Sequence, residues 1–368
     1  MLKRLEGYDL IILLMAVALT CFGVVMVYSA SSVMAIRKYH DGFFFLKRQG
    51  LFCLMGFAVM YFTMNIDYHF WRKAAVPIMA ACLLLLVLVL IPGIGGSAGG
   101  ASRWIRLPGF SLQPAELAKI ALILYMAYSL DKKQDKVRMF SSGFLPYMLV
   151  LALMIGLLMI QPDMGSSMTL AAVAIVMLFA AGTRVSYIIS MGLMAMPIVY
   201  FGIMNVDYRR RRILAFLDPW QDPSNAGFQI IQSWLAFGKG GLIGQGLGEG
   251  KQKLFYLPEA HTDFILSVVG EELGFAGVVV IAAMFFLLVL RSIRVSLYAE
   301  DNFGRYLAFG IAILLGLEAF INMGVVTGLL PTKGLALPFI SYGGSSLIIS
   351  LFAIGILLNV SSRMRGAQ

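Results

Sequence analysis

The sequence predicts an all-α integral membrane protein with about ten transmembrane helices. Hydrophobic residues make up 60% of the 368-residue chain and charged residues 13%, whereas soluble domains average about 45–50% and about 25%. The mean hydropathy is +0.85, so there are too few polar residues to cover a water-soluble fold. The apolar residues fall into runs of about 20, the length that an α-helix needs to cross the hydrocarbon core. These observations exclude a disordered chain, a fibrous protein and an ordinary soluble enzyme.

Ten apolar segments are candidate spans, and together they make the whole chain, residues 1–368, one polytopic membrane domain. The segments are residues 9–31, 46–66, 73–93, 112–130, 143–160, 166–182, 184–204, 264–290, 304–327 and 343–361. The first segment is too long for the core of a signal peptide and other spans follow it, so we expect it to be retained. No internal repeat is visible, which weighs weakly against transporters built from inverted repeats.

An even number of spans places both termini on one side of the membrane, and the basic residues predict that this side is cytoplasmic. One long loop, about residues 205–263, lies between the seventh and eighth spans and holds half of the outer Lys and Arg. Loops of this length do not follow the positive-inside rule. When this loop is left out of the count, the inner segments carry about twice as many basic residues as the outer ones. The net charge of +10 is spread between the spans, which favours anionic lipid headgroups over nucleic acid as a partner.

The fourth span opens with QPAELAK, residues 113–119, and carries charge at membrane depth. Charged residues in a span are costly and mark function by default. Glu116 and Lys119 are spaced i,i+3 and therefore share one helix face, one turn after Gln113. They form either a structural ion pair or the wall of a polar cavity that opens to the outer leaflet.

Two arginines and an aspartate lie next to these spans on the predicted outer side. Arg103 and Arg106 come just before the fourth span, where their guanidinium groups would suit the oxygens of an anionic group at the cavity mouth. Asp163, in QPDMGSS (161–167), is either part of the same site or the N-cap of the sixth span.

The segment LPEAHTDFI, residues 257–265, has the richest chemistry. Pro258 suits the first turn of the eighth span, and a helix starting there would make Glu259 and Asp263 i,i+4 neighbours. Two close carboxylates push their pKa values apart, which is the basis of general acid–base catalysis. His261 lies on the same turn, so a metal site is one alternative. A helix start whose acids are favoured by the helix dipole is the other.

The segment PTKGLALPFISYGGSS, residues 331–346, precedes the last span. Its prolines and glycines predict a non-helical backbone at membrane depth, which is tolerated only inside protein or beside a wet cavity. Lys333, Ser341 and Tyr342 could supply hydrogen bonds there.

Three further features have a predicted place but no assigned chemistry. The glycine-rich segment 238–250 matches no nucleotide-binding template and is expected to pack against a ligand or flex over a cavity. The arginines at 209–212 would bind lipid phosphates or the phosphates of a lipid-linked substrate. Glu272 is expected to pair with another helix, and Glu318 is a buried acid without an evident partner.

These motifs resemble those of the SEDS family (shape, elongation, division and sporulation). The resemblance lies in LPEAHTDFI (257–265), LPFISYGGSS (337–346) and QPAE (113–116), and it covers essentially the whole chain, including the ten-span layout and the long outer loop. The segments QKLFYLPEA (252–260) and LPTKGL (330–335) resemble the division members more than the elongation members.

The resemblance implies a peptidoglycan glycosyltransferase that polymerises lipid II into septal glycan strands and releases undecaprenyl diphosphate. Its expected location is the bacterial cytoplasmic membrane at the division septum. Its expected partners are a class B penicillin-binding protein and other divisome membrane proteins. The sequence departs from the family at Ala115, where the family usually has serine, which removes any role for a hydroxyl at that position.

The resemblance also assigns roles to residues. The essential acid of the family falls on Asp263, which we expect to be the general base that deprotonates the acceptor sugar, with inversion at the donor. Glu116 and Lys119 would shape the cavity, and Arg103 and Arg106 would hold the diphosphate. No cofactor is identified, and a divalent cation, Mg²⁺ or Mn²⁺, is left open at the diphosphate.

Three alternatives stay open on the sequence alone. A lipid II flippase would also use a polar intramembrane cavity, although it would need access from both leaflets. An elongation polymerase would share the chemistry but serve a different process. A scaffold that recruits division proteins would use its buried charges for helix packing alone.

Overall fold

The computed structural model describes residues 7–92, 95–98, 101–107, 110–225, 227–253, 257–258 and 260–364. Within these ranges the chain forms twelve α-helices and one small sheet. The helices are α1 (Leu10–Tyr39), α2 (Phe44–Asn65), α3 (Tyr68–Leu88), α4 (Pro114–Lys132), α5 (Leu145–Ile160), α6 (Met164–Ala180), α7 (Val185–Met204), α8 (Asp207–Leu217), α9 (Phe228–Gly240), α10 (Ile265–Tyr298), α11 (Asn302–Val326) and α12 (Gly344–Ser361).

Each segment predicted to span the membrane coincides with one helix, which confirms the helical membrane class. In the described part of the chain, seven helices are long and apolar enough to cross a membrane: α1, α3, α5 with the π-helical turn before it, α7, α10, α11 and α12. The other three segments correspond to α2 and α4, which carry charged residues, and to α6, which has 17 residues. The count of ten crossings therefore stays a prediction.

A small antiparallel sheet lies between α3 and α4, where the sequence analysis expected no strands. It consists of β1 (Gly95–Ala98), β2 (Ala101–Leu107) and β3 (Phe110–Leu112), in the order β1-β2-β3. The strands are short and their flanks are rich in glycine, so the hydropathy pattern carries no clear alternation. The sheet is connected directly to α4, and its strand β2 carries both arginines predicted at the site.

The predicted long loop, 205–263, is partly helical. It contains α8, a short 3₁₀ turn at Pro219–Gln221 and α9. Helix α9 packs along α10: the Ser233 hydroxyl lies 2.8 Å from the Ser267 hydroxyl, and it donates to the Val326 carbonyl at the end of α11. The loop is thereby fixed to the helices beneath it.

The glycine-rich segment after α9 packs into a break in α10. Helix α10 is interrupted at Gly274, with φ 68° and ψ −168°. The carbonyls of Glu271 and Glu272 accept bonds from the backbone of residues 245 and 246, both at 3.0 Å. On the other side of the break, the amides of Phe275 and Ala276 donate to the carbonyls of residues 241 and 242, at 2.9 and 3.0 Å. The segment is therefore a structural part of the bundle, and its expected role beside a ligand or cavity stays a prediction.

A buried ionic cluster fixes the far end of the same segment. The Lys253 ammonium lies 2.6 Å from Glu272 Oε1 and 3.0 Å from the Ser29 hydroxyl of α1. Ser29 also donates to Glu272, with an oxygen–oxygen distance of 2.7 Å. The expectation that Glu272 pairs with another helix is confirmed, since its carboxylate joins α10 to α1 as well as to the loop.

The two described ends of the chain lie on the same face of the helix bundle. The amide of Asp9, the N-cap of α1, donates to the Ser361 hydroxyl at the end of α12, at 3.0 Å. The Arg363 guanidinium lies 2.9 Å from Asp67 in the turn between α2 and α3. This arrangement agrees with an even number of crossings, and we call this face the terminal face.

The break in α10 predicts a strict requirement for glycine at position 274. A Cβ there would lie 2.3 Å from the Gly244 amide nitrogen, and the backbone conformation is one that essentially only glycine adopts. We expect Gly274→Ala to destabilise the protein by about 2 kcal/mol or more, measured as a lower midpoint of thermal unfolding in detergent.

The matched control is Gly192→Ala in α7, where nothing lies within 4 Å of the added Cβ. Alanine is the better helix former, so this variant should unfold at the same temperature or slightly higher. Equal midpoints for both variants would contradict the structural role of the break.

Candidate functional site

Asp263 lies in a tight turn just before α10, not on the helix itself. The helix begins at Ile265 and residues 260–264 form turns, so the predicted start at Pro258 is wrong. Glu259 lies outside the described residues, so its predicted closeness to Asp263 stays a prediction.

The physical reason is that other segments occupy the backbone carbonyls that a helix would need. The His261 carbonyl accepts from the Tyr342 amide at 2.9 Å, and the Thr262 carbonyl accepts from the Ser341 hydroxyl at 2.6 Å. The Asp263 carbonyl accepts from the Asn322 side chain at 2.9 Å. Three consecutive peptide groups are thus held by α11 and the segment that follows it, which fixes the position of the aspartate.

The segment between α11 and α12 is non-helical, as the sequence predicted, and it forms one wall of the site. A Cβ built on Gly334 would lie 2.9 Å from Asp263 Oδ2, so the carboxylate rests directly against this backbone. Asn322 also donates to the Leu335 carbonyl at 2.7 Å. One amide side chain therefore bonds both to the aspartate and to the wall beside it.

Lys333 precedes this glycine and supplies a cation. Its half-buried ammonium contacts the Met168 sulfur of α6, and within the described residues it forms no ion pair. Burial lowers the pKa of Lys333 to about 8, because the charged form is poorly solvated there. The side chain is therefore still mostly protonated at pH 7, and its charge is available to an anionic ligand.

Ser341, Tyr342 and His261 form the other wall. The Ser341 hydroxyl accepts from the Leu337 amide at 2.8 Å while donating to Thr262, so its hydrogen bonds go to the backbone. The ring of Phe45 lies 5.1 Å from that of Tyr342 and 4.7 Å from that of His261, between centroids. These three predicted site residues lie together beside Asp263, in positions that support its turn.

The start of α6 borders the wall that carries Gly334. Asp163 caps this helix, with its carboxylate accepting from the Ser166 amide at 3.1 Å and the Ser166 hydroxyl at 2.8 Å. A Cβ on Gly165 would lie 3.3 Å from the Leu335 side chain. The N-cap alternative for Asp163 is thus confirmed, and the cap also brings the helix up to the site.

The two predicted arginines have different surroundings. Arg103 donates to the carbonyls of Gln161, at 3.1 Å, and Pro162, which places it over the start of α6. Arg106 lies across the neighbouring strand, where a Cβ on Gly96 would be 2.6 Å from its Nε. Residues three apart on a strand point to opposite faces of the sheet, so the two arginines do not form one pair.

Glu116 and Lys119 belong to a buried ionic cluster, separate from the Asp263 turn. The Lys119 ammonium lies 2.8 Å from Glu116 and also bonds to Glu318 of α11, and it is 3% exposed. The expectation that Glu318 lacks a partner is wrong, because its partner comes from a helix distant in sequence. The cavity beside these three side chains measures about 10 Å³, which holds about one water molecule. The structural ion pair describes this geometry better than an open polar cavity.

Gln113 lies at the junction of the sheet, α4 and α12. Its amide donates to the Ser345 hydroxyl at 3.1 Å, and Ser345 donates to the Ser111 carbonyl at 2.7 Å. This contact attaches the sheet to the first turn of α12.

Sequence reasoning missed two residues that hold the site together. Asn322 is a polar residue in an otherwise apolar span, and that signal could have marked it. Arg212 of α8 donates to the Thr332 carbonyl at 3.2 Å, so one of the arginines at 209–212 secures the segment that carries Lys333. No sequence signal distinguishes Arg212 from its three neighbours.

The described residues do not assemble a metal site of three His, Cys, Asp or Glu side chains. The His261 ring packs between aromatic rings, and Glu259 is not described. A divalent cation at the diphosphate stays a prediction.

Comparisons with known proteins place the chain among bacterial cell cycle proteins. The family model for cell cycle proteins of the FtsW, RodA and SpoVE type matches residues 9–366. The chain is 73% identical to the probable peptidoglycan glycosyltransferase FtsW of Geobacter metallireducens over 365 residues, which covers 99% of this chain and 97% of the relative. It is 45% identical to the stage V sporulation protein E of Bacillus subtilis, covering 97% and 98% of the two chains.

Comparison with solved structures also finds proteins of cell wall synthesis and cell shape. A chain from a peptidoglycan synthase complex that coordinates polymerization and crosslinking is similar with a TM-score of 0.78 and 31% identity, over 96% of this chain and 97% of that chain. The rod shape determining protein RodA of Thermus thermophilus is similar with a TM-score of 0.73 and 28% identity, over 97% and 98%. These likenesses cover the site as well as the helices around it.

The buried cluster predicts a large cost for removing its cation. We expect Lys119→Met to lower the stability of the protein by about 3–5 kcal/mol, because two carboxylates would then lack a buried partner. The measurement is the midpoint of thermal unfolding of the purified protein in detergent.

The control is the triple variant Glu116→Gln, Lys119→Met, Glu318→Gln, in which no charge is left in the cluster. It should recover most of the loss, since neutral groups of similar shape are tolerated there. A triple variant as unstable as the single one would show that packing, and not charge, sets the cost.

Proposed function

The chain belongs to the FtsW/RodA/SpoVE family of cell cycle proteins, and we propose that it is a peptidoglycan glycosyltransferase. It polymerises lipid II into glycan strands during septal wall synthesis and releases undecaprenyl diphosphate. The observation that carries the proposal is the position of Asp263. The carboxylate lies in a turn fixed by α11 and against Gly334, the residue that follows Lys333 in the chain.

Asp263 acts as the general base. Its carboxylate accepts the proton of the acceptor sugar hydroxyl as the oxygen attacks the anomeric carbon of the donor. The bond from that carbon to the diphosphate breaks, the configuration inverts, and the proton ends on the aspartate. A rigid position suits this role, since a base must lie within hydrogen-bond reach of the proton it removes. The hydrogen bonds from Asn322, Ser341 and Tyr342 to this turn supply that rigidity.

Lys333 is the best placed cation for the leaving diphosphate. Within the described residues its ammonium forms no ion pair, and it lies one residue from the backbone that contacts Asp263. Arg103, at the start of α6, is a second candidate. Two of its guanidinium nitrogens already donate to backbone carbonyls, so fewer donors are left for the diphosphate. Arg106 faces away from Arg103, so its role at the diphosphate stays a prediction. A developing charge on the diphosphate is stabilised by cations already in place.

One observation favours polymerisation over a flippase, and another favours the division role over the elongation role. A flippase needs a polar route through the membrane, but the charges of the Lys119 cluster are packed around space for about one water molecule. The identity of 73% to an FtsW protein against 28% to RodA favours the division role over the elongation role.

We place the protein in the bacterial cytoplasmic membrane with its terminal face toward the cytoplasm. Asp263 then faces the outer side, where wall synthesis occurs. A class B penicillin-binding protein is the proposed partner, together with other divisome membrane proteins. The likeness to a chain of a peptidoglycan synthase complex supports such a partner.

Polymerisation of lipid II by the purified protein tests the proposal. The assay includes the cognate penicillin-binding protein with an inactivated transpeptidase site, so that chain growth alone is read. We expect Asp263→Asn to lower the rate at least about 100-fold, the usual contribution of a general base. Asp207→Asn, which changes an exposed acid on α8, is the matched control and should polymerise like the wild type.

The outcomes separate the parts of the proposal. Full activity of a folded Asp263→Asn variant would exclude the base assignment while keeping the enzyme. No polymer from the wild type, together with lipid II translocation by the same samples, would replace the enzyme with the flippase.

The lowered pKa of Lys333 predicts a pH effect on substrate binding. The ammonium loses its proton as the pH rises through about 8, so KM for lipid II should rise several-fold between pH 7 and pH 9. Lys333→Arg keeps its charge throughout this range and should flatten this dependence. A KM that rises equally in both proteins would show that another group titrates.

A further inference from the structure

A polar cleft opens on the terminal face, at the end of the molecule opposite Asp263. It lies among the α4–α5 connection, the α6–α7 turn and the first turn of α11, and its volume is about 470 Å³. Helix α6 runs from the Asp163 cap to this cleft over 17 residues, and α11 runs from the cleft toward Asn322. At 1.5 Å per residue the two sites are about 25–30 Å apart, which is about the thickness of the hydrocarbon core.

Two arginines from different elements line this cleft. Arg138 comes from the α4–α5 connection and Arg305 from the first turn of α11. Both side chains are exposed, and neither forms an ion pair within the described residues. The arginines on this face that have carboxylate partners bond within the bundle: Arg72 pairs with Asp131, Arg291 with Asp9 and Arg363 with Asp67. Arg138 and Arg305 are therefore available to a ligand.

The remaining lining suits the oxygens of an anion. Asn302 and Gln134 offer amide groups, and the Tyr306 side chain reaches the same space. The cleft also meets the N-terminal turn of α11, where the helix dipole adds partial positive charge. Among the lining residues, Asp135 is negatively charged and would oppose an anion. The nearby Asp301 is already bonded to Tyr68, His69 and the Gly304 amide.

We propose that this cleft binds a phosphate group, held between Arg138 and Arg305. Arginine is suited to this because its planar fork matches phosphate oxygens in pairs. A cleft of this volume accepts a phosphate together with the small polar group attached to it. The ligand is either the headgroup of an anionic lipid in the adjacent leaflet or a soluble phosphate compound. The site stands apart from the proposed polymerase chemistry, because none of its lining residues takes part in it.

Binding measurements on the purified full-length protein in neutral detergent test the inference. Native mass spectrometry is used with short-chain phosphatidic acid as the lipid probe and phosphatidylcholine as the zwitterionic reference. Inorganic phosphate is the soluble probe, followed by the shift in the thermal unfolding midpoint. We expect Arg138→Gln with Arg305→Gln to weaken phosphatidic acid binding at least tenfold. Asp135→Asn should strengthen it several-fold, because it removes the opposing charge.

The matched control is Lys73→Gln with Arg294→Gln. It removes the same charge from the terminal face without touching the cleft lining, and it should bind like the wild type. Loss confined to phosphatidic acid would identify a lipid headgroup, whereas equal loss for inorganic phosphate would identify a soluble phosphate ligand.

Wild-type affinity in the Arg138 and Arg305 double variant would overturn the inference. So would equal weakening by the control pair, since binding would then follow the total charge of the face. Failure of the wild type to bind either probe would also overturn it. None of these results depends on whether the chain polymerises lipid II, so this inference and the proposed function fail separately.

Discussion

Backbone groups that leave the helical pattern within a membrane protein must find partners inside the chain, and the site is built on that constraint. The turn that carries Asp263 has three consecutive carbonyls, all of which accept bonds from α11 or from the segment after it. The break in α10 at Gly274 is paired in the same way with the segment after α9. Both irregular regions are therefore ordered parts of the bundle.

Buried charges supply a second set of fixed points, and they lie at different levels of the bundle. Lys253 joins Glu272 and Ser29 near the break in α10. Lys119 joins α4 to Glu318 of α11. Each ammonium is surrounded by acceptors from separate helices, which orders those helices relative to one another because an unpaired charge would be costly there.

The positions of the long apolar helices could be predicted from the sequence, whereas α8, α9 and the contacts between helices could not. Long apolar runs determine helices locally, so every predicted span coincides with a helix. The start of α10 was misplaced because Pro258 suits a first turn, while the carbonyls that the helix needs are bonded to residues far along the chain. The partner of Glu318 is likewise invisible in sequence. Asp163 had two local interpretations: the hydrogen bonds to Ser166 confirm the N-cap, and a role in the site stays a prediction. The expected role of Asp263 came from the resemblance to a known family, and the spacing of residues along the chain did not predict it.

Asn322 and Glu318 lie four residues apart, on one face of α11. Asn322 bonds to the Asp263 turn and to the Leu335 carbonyl in the wall beside it, and Glu318 bonds to Lys119 of α4. This face of α11 thus connects the buried Lys119 cluster to the turn that carries the aspartate. Rotation or sliding of α11 would strain both attachments together, so a movement of this helix at the Lys119 cluster would also move the backbone of the Asp263 turn. A protein that binds the helix bundle and shifts α11 would in this way change the position of the aspartate without contacting the sugar.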